Sequence, residues 1–140
     1  MFQSRDQIRQ VYLTVWNKMQ QRQLLEPVES LIAEVIEIHP EYHALLNAGD
    51  DMRQHDFTPE QGQTNPFLHM GMHIALREQA GTDRPAGIKS VYDDLVLRRG
   101  RHEAEHAMME CLGQSLWNAQ RNNQAPDEAE YLECLRKLSP

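Results

Sequence analysis

Apolar side chains recur every three or four positions along most of this chain, a period that builds one continuous buried face only on an α-helix. After Ser4 and Asp6, residues Ile8, Val11, Tyr12, Val15, Trp16 and Met19 predict a first helix of about four to five turns, with Ser4 as its N-cap. A second helix starts at Pro27 and carries Leu31, Ile32, Val35, Ile36 and Ile38 until Pro40 interrupts it. Pro40 also disfavours helical backbone at His39, so HPEYH reads as a break followed by a short turn over 41–48. Asn65 caps a third helix, with Pro66 at N1 and Phe67, Met70, His73, Ile74 and Leu76 along it to about Ala80. Ile88, Val91, Tyr92, Leu95 and Val96 mark a fourth, stopped by Gly100. The fifth, over 101–122, turns Ala107, Met109, Leu112, Gly113, Leu116 and Trp117 inward, and a short sixth carries Tyr131, Leu132 and Leu135. Between the second and third helices, residues 49–64 hold turn formers without a period and read as a long loop that could act as a lid. No segment reads as a strand or as a repeat. The expected fold is all-α: a single domain, 1–140, forming an up-and-down bundle of about five to six helices with one long loop.

Composition fits that expectation and removes several function classes. At 140 residues with 40% hydrophobic and 25% charged side chains, the chain is long enough to bury roughly two thirds of its unfolded surface. A net charge of −7 and a single short basic run, Arg98, Arg99 and Arg101, argue against nucleic acid as a partner. No apolar run approaches the roughly 20 residues of a membrane span, and MFQSRDQIRQ lacks the apolar stretch of a secretion signal, so a cytoplasmic location is expected. Cys111 and Cys134 lie far apart in sequence and form no C-x-x-C, so both are expected to be reduced, half-buried helix residues. No phosphate-binding glycine loop or G-x-S-x-G elbow is present, which removes the usual support for nucleotide binding and serine hydrolysis.

Histidine spacing carries the functional signal. Six of the seven histidines form pairs four residues apart: His39 with His43, His69 with His73, and His102 with His106. Random placement gives roughly a third of one such pair, so three pairs mark a site. Four residues is just over one helical turn, which puts two imidazoles on one face. The Pro40 break weakens the first pair as a same-face pair. In an up-and-down bundle the first pair ends helix two, the second begins helix three and the third begins helix five, so all three are expected at one end.

Neutral imidazole is a borderline-soft ligand, and two imidazoles from one turn plus one or two from a facing helix complete the shell of a divalent transition metal. The candidate metal ligands are His69, His73, His102 and His106, with His43 as ligand or supporting group and Glu110 one turn beyond His106. Zinc is the first choice of metal, iron or nickel the next. Residues 102–106 also spell H-E-A-E-H, the zinc-peptidase pattern in which Glu103 activates a metal-bound water. That reading lacks a histidine downstream of His106 and a strand to hold substrate. A carboxylate-bridged di-iron site needs Glu-x-x-His on two helices, and the chain has it once, at Glu103 and His106. Met70, Met72, Met108 and Met109 flank the histidines but read as core filler, and Trp16, Trp117, Tyr12 and Tyr92 as core aromatics.

The segments HPEYHALL (39–46), TNPFLHMGMHIALREQ (64–79) and HEAEHAMMECLG (102–113) resemble those of a family of short bacterial proteins, domain of unknown function 1841. The likeness extends over nearly the whole chain, including FTPE and the APDEAEYLECL tail. The resemblance implies a small helical protein without an assigned activity, and its pattern falls on His39, His43, Asn65, Pro66, His69, His73, Glu78, His102, Glu103, His106 and Glu110. Function therefore rests on the residues: a metal site at the histidine-rich end, against a metal-free structural or protein-interaction module, in one form a homodimer, whose His and Glu side chains form a buried hydrogen-bond network. A zinc-dependent hydrolase using Glu103 is the third reading.

Overall fold

The computed structural model describes residues 5–49 and 65–138, and the elements it contains are helical throughout. Among the described residues seven α-helices follow in order: α1 (Arg5–Gln20), α2 (Pro27–Glu37), α3 (His43–Asn47), α4 (Pro66–Thr82), α5 (Ile88–Arg99), α6 (Arg101–Asn122) and α7 (Glu128–Arg136), with a 3-10 turn at Pro40–Tyr42. Among the described residues there is no strand, and no helix is long and apolar enough to cross a membrane. The expected count of five to six helices is short by the single-turn α3, which the sequence reads as a turn because five residues are too few to show a period. The expected Ser4 cap and residues 50–64 of the expected lid lie outside the described residues.

The chain divides into two compact units, Met1–Ile74 and Ala75–Pro140, the boundary falling inside α4. In the first, α1 packs on α2 and α3. Its core joins Tyr12, Leu13, Val15 and Trp16 of α1 to Ile32, Ala33, Val35 and Ile36 of α2, together with Leu46, Phe67 and Met70. Val15, Val35 and Ile36 are fully enclosed, each worth about 1.5–3 kcal/mol of burial. Polar pins fix the same helices: Lys18 Nζ donates to both carboxylate oxygens of Glu29 at 3.0 and 2.8 Å, and Trp16 Nε1 donates to Asn47 Oδ1 at 2.8 Å. Pro27 starts α2 as expected, and Glu29 Oε1 accepts from the Glu26 amide at 2.9 Å, satisfying one of the donors a helix start exposes.

In the second unit α5, α6 and α7 pack on one another. Gly100, at φ 83°, makes the one-residue connection from α5 to α6 in a conformation that favours glycine. Ala104, Met108, Cys111 and Leu112 form the buried stripe of α6 at the expected helical spacing. That stripe stops early. Trp117 is 53% exposed, and Leu116 is exposed as well, contrary to the expectation that both face inward. The Trp117 ring instead lies under the guanidinium of Arg121, 5.1 Å from its centroid, a pairing that a helix allows at i,i+4.

The cysteines are a clear correction. Cys111 and Cys134 form a disulfide, with Cα atoms 5.8 Å apart. Separation along the chain says little here, because α6 ends at Asn123 in left-handed backbone (φ 51°) and α7 folds back on it, so residues 23 apart in sequence meet.

Candidate functional site

Pro40 makes the site. Its ring disfavours α-backbone at the residue before it, and His39 accordingly leaves the helix at φ −125°, ψ 63°. The chain then turns through Pro40–Tyr42 and resumes as α3 at His43. The break sends the two histidines of the first pair to different surroundings. His39 is buried, and its Nδ1 donates to the Val35 carbonyl at 2.8 Å. His43 turns to α1, its ring 4.7 Å from that of Trp16, and its Nε2 donates to the Ile36 carbonyl at 2.9 Å.

The second pair rides on α4, whose start follows the predicted chemistry. Asn65 Oδ1 accepts from the amides of Phe67 and Leu68 at 3.0 and 3.2 Å, and Pro66 occupies N1. With the helix begun there, His69 and His73 share a face, ring centroids 4.9 Å apart at 79°. His73 is fully buried and His69 partly so.

These two rings meet His39. Its centroid lies 5.1 Å from that of His69 and 4.8 Å from that of His73, and one ring nitrogen from each of the three residues falls within 4.8 Å of the others. Because a carbonyl can only accept, the bond to Val35 fixes a proton on His39 Nδ1 and leaves the lone pair of the neutral ring on Nε2. A histidine held through one nitrogen by a backbone carbonyl is oriented to ligate through the other. Around a tetrahedral zinc with bonds of about 2.0–2.1 Å, ligating nitrogens sit about 3.4 Å apart and imidazole centroids about 5 Å apart. The observed triangle of centroids already has that size.

Tyr42 closes one side. Its ring stacks on His39 at 5.3 Å and 4° and meets His69 edge-on at 6.3 Å. Burial, and secondarily the charge of Glu41, pushes its phenol above the ordinary tyrosine value, so it stays protonated and neutral beside the imidazoles.

The third pair belongs to the second unit. His102 and His106 stack on α6 with centroids 4.1 Å apart. His102, Glu103 and Glu110 are exposed and His106 is partly buried. Among the described residues of that unit, no third His, Cys, Asp or Glu completes a ligand cluster with the pair. The buried glutamate of H-E-A-E-H is Glu105, at the position the peptidase pattern leaves free, and it is fully enclosed. Arg77 grips it with two hydrogen bonds, Nε to Oε2 at 2.9 Å and Nη2 to Oε1 at 3.2 Å. Tyr92 OH also donates to Oε2, and Arg101 Nε donates to Tyr92 OH at 3.1 Å. A buried charge network is therefore present, built on Arg77 and Glu105, neither of which the sequence singled out for that role.

Spacing alone ranked His39 below its neighbours and omitted it from the ligand set. The signal that could have promoted it was the same proline, which frees a histidine at a helix end from pointing along its own helix. The model of the family described as Domain of unknown function (DUF1841) matches residues 4–137. The chain belongs to that family. No curated protein and no solved structure matches it. Membership of DUF1841 brings no assigned activity, so chemistry has to be argued from the three imidazoles.

Proposed function

We propose that this member of DUF1841 binds a divalent transition metal through His39, His69 and His73, with zinc first and iron or nickel next. One observation carries the reading: three imidazoles from two separate segments converge with nitrogens within 4.8 Å, two of them on buried residues. Imidazole-only donor sets suit zinc, nickel, iron and copper and discriminate against magnesium and calcium, which take oxygen ligands. The His102 and His106 pair, with Glu110 one turn further along α6, is a separate candidate on the strength of its spacing alone. His43 serves as support, since its ring is engaged by Trp16 and the Ile36 carbonyl.

The rival reading is a metal-free module in which buried polar groups satisfy one another. It draws support from the Arg77–Glu105–Tyr92 network, which this chain buries with paired protein groups alone. Elemental analysis of protein produced without a polyhistidine tag, under metal-replete growth, separates the two. Near-stoichiometric metal that disappears in both His39→Ala and His73→Ala supports the metal site. Metal-free protein that keeps its fold supports the rival.

A further inference from the structure

The disulfide opens onto a cavity. Between the C-terminal half of α6, the connection that follows it and α7 lies a cavity of about 120 Å³, walled in part by both Cys111 and Cys134. A volume of that size holds about four waters or a ligand of a few heavy atoms. Around it stand the side chains of Gln114, Asn118, Asp127 and Glu130, and its lining contains no Lys, Arg or His. Both acidic residues are exposed and each carboxylate accepts a hydrogen bond: Asp127 Oδ1 caps α7 by accepting from the Glu130 amide at 3.1 Å, and Glu130 Oε1 accepts from Asn118 Nδ2 at 3.3 Å. Cys111 is 2% exposed, whereas Cys134 is partly exposed.

We propose that this cavity is a thiol–disulfide exchange site selective for small, positively charged aminothiols. A disulfide sealed in a core is out of reach of a nucleophile, but one that walls a polar cavity can be attacked by a thiolate small enough to enter. Cys134, the more exposed residue of the two, receives the attack. The incoming thiolate bonds to Cys134 Sγ, the Cys111–Cys134 bond breaks, and its electron pair leaves on Cys111 Sγ as a thiolate. A second equivalent of aminothiol then displaces Cys134 and departs as the symmetric disulfide, so the protein gains two electrons and the two small thiols lose them. Asp127 and Glu130 select by charge: they concentrate an ammonium-bearing thiol in the cavity and repel an anionic one.

Three two-carbon thiols of equal length provide the test: cysteamine (cationic), 2-mercaptoethanol (neutral) and 2-mercaptoethanesulfonate (anionic). Loss of the disulfide is timed at equal thiolate concentration, and each rate is divided by that thiol's rate with a small uncharged disulfide. The expected order is cysteamine, then mercaptoethanol, then the sulfonate, with about tenfold between the extremes at low salt. Raising ionic strength compresses that ratio, because the carboxylates act through screened charge. The Asp127→Asn, Glu130→Gln double variant brings it towards one. Asn still caps a helix and Gln keeps the acceptor for Asn118, so both changes are chosen to preserve the fold. Acid quench, alkylation and peptide mass analysis should find cysteamine on Cys134 and the alkyl group on Cys111. A normalised wild-type ratio near one, a ratio indifferent to salt, mixed disulfide on Cys111, or unreduced protein lacking the bond would each overturn the proposal.

Discussion

His39 donates its Nδ1 proton to the carbonyl of Val35, 2.8 Å away and four residues earlier, across the point where α2 ends. The bond does two jobs at once. It satisfies a carbonyl that the terminating helix leaves over, and it fixes the tautomer that presents Nε2 for ligation.

The two members of the first pair should therefore behave differently. His39→Ala removes a ligand, and zinc affinity in a chelator competition should fall by more than about 100-fold, beyond the 10–100-fold typical of outer-shell changes. His43→Ala should leave metal content unaltered. It should instead lower unfolding free energy by about 1–2 kcal/mol, through the lost packing on Trp16 and the lost hydrogen bond to the Ile36 carbonyl. Equal metal loss in both variants would break the assignment.

The two glutamates of H-E-A-E-H should also part company. Glu105→Gln leaves the buried guanidinium of Arg77 without its countercharge, a class of change that costs about 3–5 kcal/mol. Replacing both partners at once, as Arg77→Met with Glu105→Leu, should recover much of that loss, since a paired buried charge contributes little beyond an apolar isostere. Glu103→Gln, on the exposed face of α6, should stay within about 0.5 kcal/mol of the parent. Denaturant titration of the four proteins measures all three statements.

The different surroundings of these two glutamates show what a sequence displays and what it hides. Helix type and most helix starts were legible because each rests on local chemistry: Pro27 and Pro66 at N1, the Asn65 cap, the Gly100 stop and the three-to-four period. Pairing of α6 with α7 through Cys111 and Cys134, the Arg77–Glu105 bond and the turning of His39 towards His69 and His73 all depend on which faces meet, and period alone does not say that. Trp117 was misplaced for the same reason: its stripe continues in sequence after the stripe's buried part has ended. His69 with His73 was the part of the site visible beforehand, because helical spacing by itself makes them neighbours.

Tyr12 gives the fold a sensitivity to alkali. Buried against Phe67, with ring centroids 5.5 Å apart, its phenol is pushed up to about 12 from 10.0 by loss of hydration. The folded state then holds its proton after the unfolded chain has released it. The associated stability is complete below pH 10 and is lost as pH rises through about 12. Over that window each pH unit should lower unfolding free energy by about 1.4 kcal/mol on account of this group. In Tyr12→Phe the corresponding part of the slope should vanish, a difference readable from urea titrations at pH 9.5, 10.5 and 11.5. An unchanged slope would mean the phenolate is as well accommodated folded as unfolded.

Reducing the Cys111–Cys134 bond should destabilise the protein through its unfolded state. The bond spans 23 residues, and closing a loop of that length restricts the unfolded chain enough to stabilise the native state by about 3 kcal/mol. With the bond reduced and the thiols alkylation-free, the native packing of Leu112 and Tyr131 near it can persist, whereas the unfolded chain becomes less compact. Denaturation in urea should therefore show two changes together: a lower midpoint and a steeper dependence on denaturant, because more surface is exposed on unfolding. A lower midpoint with an unchanged slope would instead locate the effect in the native state, in strained or loosened packing between α6 and α7. The oxidised and reduced forms of the same chain provide this comparison without any substitution.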